Sequence, residues 1–95
     1  MSKVILSGYI EVPEADLDTV AAGLIEHIQL TRAEDGCLVF EISQDQKNPL
    51  RFNVYEEFES QASFQKHQER VRASTWGSIT RNVQRQYQIE GIEQA

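Results

Sequence analysis

Residues 30–59, LTRAEDGCLVFEISQDQKNPLRFNVYEEFE, decide the order of the structural elements. A helix that enters this stretch is expected to stop at Gly36, because glycine readily adopts the left-handed backbone that closes helices. One strand is predicted from Cys37 to Ser43 and a second from Leu50 to Phe58, since apolar residues alternate in both. The linker 44–49 is polar and rich in turn formers, so the two strands are predicted to form an antiparallel hairpin.

The flanking segments complete the pattern. Val4 to Val12 alternates with period 2 and predicts a first strand, and Pro13 both ends that strand and suits the first turn of a helix. Ser60 is a good N-cap for a second helix, after which a further helical piece carries Trp76. Residues 84–91 predict a last strand. The order β-α-β-β-α-β predicts a ferredoxin-like α+β fold, a four-stranded antiparallel sheet with the helices on one face.

The two faces of this sheet have different predicted neighbours. The even-numbered positions of the two hairpin strands are the more apolar and are expected to meet the helices; they are Leu38, Phe40, Ile42, Leu50, Phe52, Val54 and Phe58. The opposite face carries apolar residues that a monomer leaves bare, namely Ile5, Tyr9, Val39 and Tyr55. Because exposed apolar faces usually find a partner, we expect a two-fold homodimer packed sheet to sheet, with Tyr55 in the interface.

Size and charge narrow the class of protein. Ninety-five residues allow a single domain, predicted to span residues 2–93. The net charge of −6 disfavours partners such as nucleic acid and anionic membranes, which require clusters of Lys and Arg. One cysteine excludes an internal disulfide, and the two histidines lie too far apart in sequence for a short metal-binding motif. We expect a cytoplasmic protein.

The stretch TRAEDGCLVFEISQDQKNPLRFNVYEEFES, followed by Phe64, His67-Gln68 and Trp76-Gly77, resembles the antibiotic biosynthesis monooxygenase (ABM) family of dimeric α/β barrels. The resemblance covers essentially the whole chain. It implies a small pocket between sheet and helices, and oxidation by dioxygen of quinols, phenols or polyketide-like aromatics without metal, flavin or haem as cofactor. Other proteins of this fold isomerise small metabolites, so the alternative is a dimeric barrel protein that isomerises or only binds a small polar molecule.

His67 is the candidate catalytic base. It lies on the apolar side of the second helix, one turn after Phe64 and one turn before Val71, and it matches the histidine that the family carries there. A neutral imidazole accepts a phenolic proton near pH 7, and the resulting anion can pass one electron to dioxygen. A buried histidine with a purely structural role remains open, and His27 is the rival base.

Four aromatic side chains are candidates for the substrate-binding wall: Trp76, Phe40, Phe52 and Phe64. Trp76 offers a flat surface on which a planar substrate stacks, provided that the chain bends near residues 73–74. Plain core packing remains the alternative for each of the four.

Three other groups are expected to be structural. Arg32 and Glu34 are interpreted as an ion pair or a helix end, and Cys37 as a buried and inert thiol. Glu56 and Glu57 are adjacent, and strand alternation places them on opposite faces of the sheet. A paired-carboxylate site is therefore not expected.

Overall fold

The computed structural model describes residues 3–91 and contains the predicted element order. A single 3-10 turn, Glu14–Asp16, precedes the first helix, and a short third helix precedes the last strand. The elements are β1 (Val4–Glu11), α1 (Leu17–Arg32), β2 (Cys37–Gln44), β3 (Arg51–Phe58), α2 (Gln61–Arg72), α3 (Thr75–Ile79) and β4 (Gln84–Glu90). Within residues 3–91 no helix has the length and apolar character needed to span a membrane. The ends of the predicted domain, at residues 2, 92 and 93, lie outside the described part.

The four strands form one antiparallel sheet in the order β2-β3-β1-β4. The hairpin strands β2 and β3 are neighbours, as predicted, and β1 lies in the centre between β3 and β4. In the central row, Gly8 of β1 lies opposite Val54 of β3 and Tyr87 of β4. This topology confirms the predicted ferredoxin-like fold.

The hydrophobic core lies between the helices and the even-numbered face of β1 and β3, as the alternation predicted. Burial of these apolar side chains is the main force that holds the helices on the sheet. The buried core residues are Val4, Leu6, Ile10, Val12, Val20, Phe52, Val54, Phe58, Phe64, Trp76 and Val83.

The predicted pattern is wrong for Leu38. Its side chain is 53% exposed, although Phe40, two positions further on, is buried. The cause is a register shift between Cys37 and Val39, where β2 carries one residue more than β3. A bulge of this kind interrupts the strict alternation, which the periodicity of the sequence does not reveal.

Candidate active site

His67 lies on the inner face of α2 and is only 4% exposed. The helix begins where the Ser60 side chain accepts a hydrogen bond from the Ser63 amide, which satisfies one of the free N–H groups of the first turn. Phe58 contacts the imidazole from the sheet, with the ring centroids 4.8 Å apart. The ring is therefore held inside the protein and does not face solvent.

The carboxylate of Glu34 binds one edge of this ring. Glu34 Oε1 lies 2.7 Å from His67 Nδ1, and Glu34 Oε2 accepts a hydrogen bond of 3.0 Å from Arg70 Nε. Arg70 also donates to the hydroxyl of Thr31, which is fully buried. These contacts fix the orientation of the carboxylate and of the histidine together.

The turn after α1 brings Glu34 to α2. Gly36 has a φ of +86°, a value that favours glycine, and a Cβ at this position would lie 2.2 Å from Ser63 Oγ. The Gly36 carbonyl accepts a hydrogen bond of 2.8 Å from the Glu59 amide. The glycine therefore permits the close approach between this turn and the start of α2.

A second carboxylate faces the other edge of the ring. Glu56, on β3, is 6% exposed, and its Oε1 lies 3.7 Å from His67 Nε2. Within the described residues this oxygen has no hydrogen-bond partner. Burial, reinforced by the negative charge of Glu34, raises the pKa of Glu56 from 4.5 to about 7. Glu56 therefore exchanges its proton near neutral pH.

Opposing effects act on His67 itself. Burial lowers the pKa of the imidazole, while the hydrogen bond and the charge of Glu34 oppose that decrease. An ionised Glu34 can only accept, so Nδ1 of the neutral ring carries the hydrogen and Nε2 keeps its lone pair. The result is a neutral base with one carboxyl group at each edge.

His27 forms a second aromatic group next to His67. Its ring stacks on the Trp76 ring, with the ring centroids 4.4 Å apart and an angle of 6° between the ring planes. It also packs edge to face with the Phe40 ring, at a centroid distance of 5.3 Å. The His27 and His67 centroids are 6.3 Å apart. Burial is the main cause that lowers the pKa of His27 to about 3, with smaller electrostatic contributions from His67, Arg70 and Arg85. His27 is therefore neutral at pH 7 and a weak base, and within the described residues its Nδ1 has no hydrogen-bond partner.

A cavity of about 130 Å³ lies between α1 and α3 beside this stack. His27, Trp76 and Ile79 are among its walls, together with Arg70, which links it to the Glu34 carboxylate. Gly23 of α1 also lines it, and a Cβ there would come within 2.4 Å of the end of Ile79. The missing side chain keeps this space open.

The predicted aromatic set is brought together only in part. Trp76 lines the cavity, and Phe40 lies next to both histidine rings. Its ring centroid is 5.3 Å from that of His27 and 6.1 Å from that of His67. Phe64 packs on Phe58 in the core, and Phe52 is also in the core. His67 is not among the cavity walls, whereas His27, whose ring centroid lies 6.3 Å from that of His67, is one of them.

Two structural interpretations need correction. Glu34 does lie at the end of α1, but its carboxylate pairs with His67 and Arg70, and Arg32 donates instead to the Phe40 carbonyl at 3.0 Å. Cys37 is half-buried where full burial was predicted. Burial and the nearby charges of Glu34 and Glu56 raise the pKa of its thiol, which favours the unreactive protonated form.

The two carboxylates that flank His67, Glu34 and Glu56, were not predicted to lie in the site. Strand alternation separates Glu56 from Glu57, and the same alternation places Glu56 among the buried residues of β3. A single charged residue on an otherwise apolar strand face is a signal that the sequence did contain. No comparable signal marked Glu34, because its contact with His67 spans 33 residues and depends on the turn at Gly36.

Comparison with known proteins agrees with this fold. The sequence model described as antibiotic biosynthesis monooxygenase matches residues 3–76. No curated protein matches the chain.

Solved structures with the same fold include a Nitrosomonas europaea protein provisionally named an antibiotic biosynthesis monooxygenase, with 22% identity over 94% of this chain and 88% of that one, at a TM-score of 0.79. A Deinococcus radiodurans protein with the same provisional name has 21% identity over 97% of this chain and 94% of that one, at a TM-score of 0.74. A conserved Bacteroides thetaiotaomicron protein of unknown function has 13% identity over 96% of this chain and 98% of that one, at a TM-score of 0.81. At these identities the structures show the fold, and the family match covers most of the chain. The chain therefore belongs to the antibiotic biosynthesis monooxygenase family.

Proposed function

We propose that this protein is a cofactor-independent monooxygenase that oxidises a small quinol or phenol with dioxygen. The observation that carries the proposal is the neutral, buried His67 with a carboxyl group at each edge, next to a cavity with an aromatic wall. Family membership supports the same class of reaction.

The size of the cavity favours a substrate with one ring. Apolar cavities of about 150 Å³ hold a benzene molecule, so a volume of about 130 Å³ matches a single substituted ring with little movement of the walls. A substrate in this space stacks against Trp76 and lies against His27. Fused polyketide rings would require the gap between α1 and α3 to widen.

The proposed chemistry begins with the transfer of a phenolic proton to His67 Nε2. The imidazolium that forms lies between Glu34 and Glu56, and both carboxylates stabilise its charge. The phenolate passes one electron to dioxygen, and the substrate radical and superoxide combine to form a C–O bond. For a hydroquinone, His67 returns the proton to the peroxide anion, and loss of water from the resulting hydroperoxide gives a hydroxyquinone, so that one oxygen atom enters the product and the other leaves as water.

In this proposal His27 separates the substrate from the base. The His27 ring lines the cavity and its centroid lies 6.3 Å from that of His67, so the substrate hydroxyl is taken to reach Nε2 when the His27 ring turns aside. The unpartnered Nδ1 of His27 supports such a role, because turning the ring breaks no protein hydrogen bond at that atom.

The proposed reaction is tested by oxygen uptake with metal-free protein and a panel of hydroquinones that have one, two or three fused rings. We expect uptake with one-ring compounds and incorporation of one atom of ¹⁸O₂ into the product. The Trp76→Ala variant enlarges the cavity and should shift the preference toward two rings, whereas Trp76→Phe should retain the one-ring preference. Absence of uptake with every compound, or a preference for three rings in the wild type, contradicts the proposal.

One observation favours the alternative, a protein that binds or isomerises a small polar metabolite. A separate groove between α2, α3 and β4 is lined by Arg72, Arg81 and Arg85. Among residues 3–91 it shares no wall residue with the cavity beside Trp76. Turnover of a polar metabolite without oxygen consumption would favour this alternative.

We also propose that the protein is a homodimer that joins the open sheet faces of two copies. The apolar part of that face comprises Ile5, Tyr9, Val39 and Tyr55, each only partly exposed. Some of the surrounding polar groups are already paired: the Arg51 guanidinium lies 3.9 Å from the centroid of the Tyr9 ring and binds Glu11, and the Tyr55 hydroxyl donates to Glu57. Covering these paired groups costs less than covering isolated charges.

A single charge on the open face should dissociate this dimer. Val39→Asp places a carboxylate opposite Glu57 on the face, so we expect sedimentation velocity to show monomers. The matched control is Ile25→Asp, on the exposed side of α1, which should remain dimeric. A monomeric wild type, or a dimer that Val39→Asp leaves intact, contradicts the proposed interface.

A further inference from the structure

Positive charge is concentrated in one segment of this acidic chain. Residues 61–85 contain five cationic side chains and one carboxylate, a net charge of +4, whereas the rest of the chain carries −10. The five are Lys66, Arg70, Arg72, Arg81 and Arg85. Such a separation within 95 residues marks a surface with its own electrostatic character.

Three of these arginines converge on one groove. Arg72 at the end of α2, Arg81 after α3 and Arg85 on β4 line an open groove of about 870 Å³. Its other walls include the neutral hydrogen-bonding side chains Gln65, Gln68 and Thr80, and Glu69 is the one carboxylate among the wall residues that the structure describes. The volume lies within the range of about 300–1,000 Å³ that is typical of small-molecule sites.

The hydrogen-bond partners found for these arginines in the described part of the chain are uncharged. Arg85 donates to the Thr80 hydroxyl at 2.9 Å and to the Thr80 and Val83 carbonyls, which are all uncharged acceptors. Within residues 3–91, no carboxylate lies within ion-pair distance of Arg72, Arg81 or Arg85. By contrast, Arg51 and Arg70 each have a carboxylate partner.

The hydrogen bonds of Arg85 also place it for binding. They hold the guanidinium next to Thr80, at the C-terminal end of α3. Because the side chain is already ordered, binding an anion there costs less conformational entropy. Arg72 and Arg81 are exposed and line the same groove. A guanidinium matches phosphate and carboxylate oxygens with two parallel hydrogen bonds.

We propose that this groove binds a small organic polyanion through two phosphate or carboxylate groups, held by Arg72, Arg81 and Arg85. The inference does not depend on the proposed oxygenase activity, because no described residue is a wall of both the groove and the Trp76 cavity. It assigns this binding site to a face that the oxidation chemistry does not use.

The test is a titration of the ¹⁵N-labelled full chain at low salt with inorganic pyrophosphate, and separately with malonate, while the arginine Nε–Hε signals are recorded. We expect saturable shifts at Arg72, Arg81 and Arg85 with at least one of the two anions, and the more effective anion identifies the phosphate or the carboxylate class. The double variant Arg72→Gln/Arg81→Gln should weaken binding by about tenfold or more, since charge-assisted hydrogen bonds are the strong ones. Both side chains are exposed, so the fold should persist, and an otherwise unchanged amide spectrum verifies it.

Lys47→Gln is the matched control, because it removes one exposed positive charge from the hairpin linker far from the groove in sequence. This variant should bind as the wild type does. The proposal is overturned if neither anion gives saturable shifts, if Arg51 shifts as much as the groove arginines, or if the double variant retains the wild-type affinity. Oxygen uptake is not part of this readout, so a failure here is distinct from a failure of the proposed reaction.

Discussion

The His67→Gln variant should lose oxygen uptake by about 100- to 10,000-fold, the usual contribution of a positioned general base. Glutamine still donates a hydrogen bond to Glu34, so the Glu34–Arg70 pair keeps its partner, but the amide cannot accept the substrate proton. The loss should appear in kcat more than in KM, because the cavity walls do not include His67. Initial rates over a range of hydroquinone concentrations measure both constants.

His27→Gln is the control that separates the two histidines. With a pKa of about 3, His27 is too weak a base for a phenol, so its replacement should change KM through the lost stacking on Trp76 and leave much of kcat. If His27→Gln abolishes uptake while His67→Gln retains it, the roles are reversed. If both variants keep the wild-type rate, neither histidine is the base and the proposed mechanism is wrong.

The fold could be predicted from the sequence because its signals are local. Period-2 alternation in β1 and β3, Pro13 before α1, Gly36 after it and the Ser60 cap each act within a few residues, and together they specify the element order. The prediction failed at Leu38, because a bulge depends on how β2 pairs with β3. That pairing is a property of the assembled sheet.

The site was less predictable because its contacts are long-range. His67 was identified from its position on α2, but its partners Glu34 and Glu56 come from a turn and from a strand on different sides of the ring. Placing Glu34 requires the packing of the Gly36 turn against α2, and the pKa of Glu56 follows from burial that exists only after folding. Trp76 lies nine residues after His67, and the break between α2 and α3 places it against His27 instead.

The adjacent residues Glu56 and Glu57 should respond to substitution in opposite directions. Glu56 is buried with a pKa raised to about 7, so the folded state holds its proton more tightly than the unfolded chain does. The carboxyl group of Glu56 is protonated below pH 4.5, so its ionisation costs the folded state nothing there, and stability is lost as the pH rises through about 7 and the buried group ionises. A shift of this size corresponds to about 3 kcal/mol of unfolding free energy.

The neutral isostere Glu56→Gln does not undergo this loss. We expect the variant to be more stable than the wild type above pH 7, by up to about 3 kcal/mol, with the difference vanishing below pH 4.5. Urea unfolding of both proteins at pH 4.5, 6 and 8 measures this difference in unfolding free energy. The groups that face Glu56 and contribute to this dependence are His67, Glu34, Tyr87 and Cys37.

Glu57→Gln is the matched control on the open face of the sheet. Hydrogen bonds from Lys3 and Tyr55 lower the pKa of Glu57, so its contribution is present above the unfolded pKa and is lost as the pH falls. The variant should therefore be less stable than the wild type at pH 8 and should approach it in acid. Equal pH dependence of the two variants would show that Glu56 is not protonated near neutrality.

The same substitution at Glu56 should reduce catalysis where it increases stability. In the wild type, ionisation of Glu56 near pH 7 adds a negative charge beside the imidazolium that forms at His67, so the rate should rise through this pH. Glu56→Gln cannot supply that charge, and its pH–rate profile should lack the step near 7. If Glu56→Gln is more stable than the wild type but keeps the wild-type pH–rate profile, Glu56 takes no part in the proton transfer. If the variant is more stable and its rate no longer rises near pH 7, the protein keeps a buried carboxyl group for catalysis although this group lowers stability.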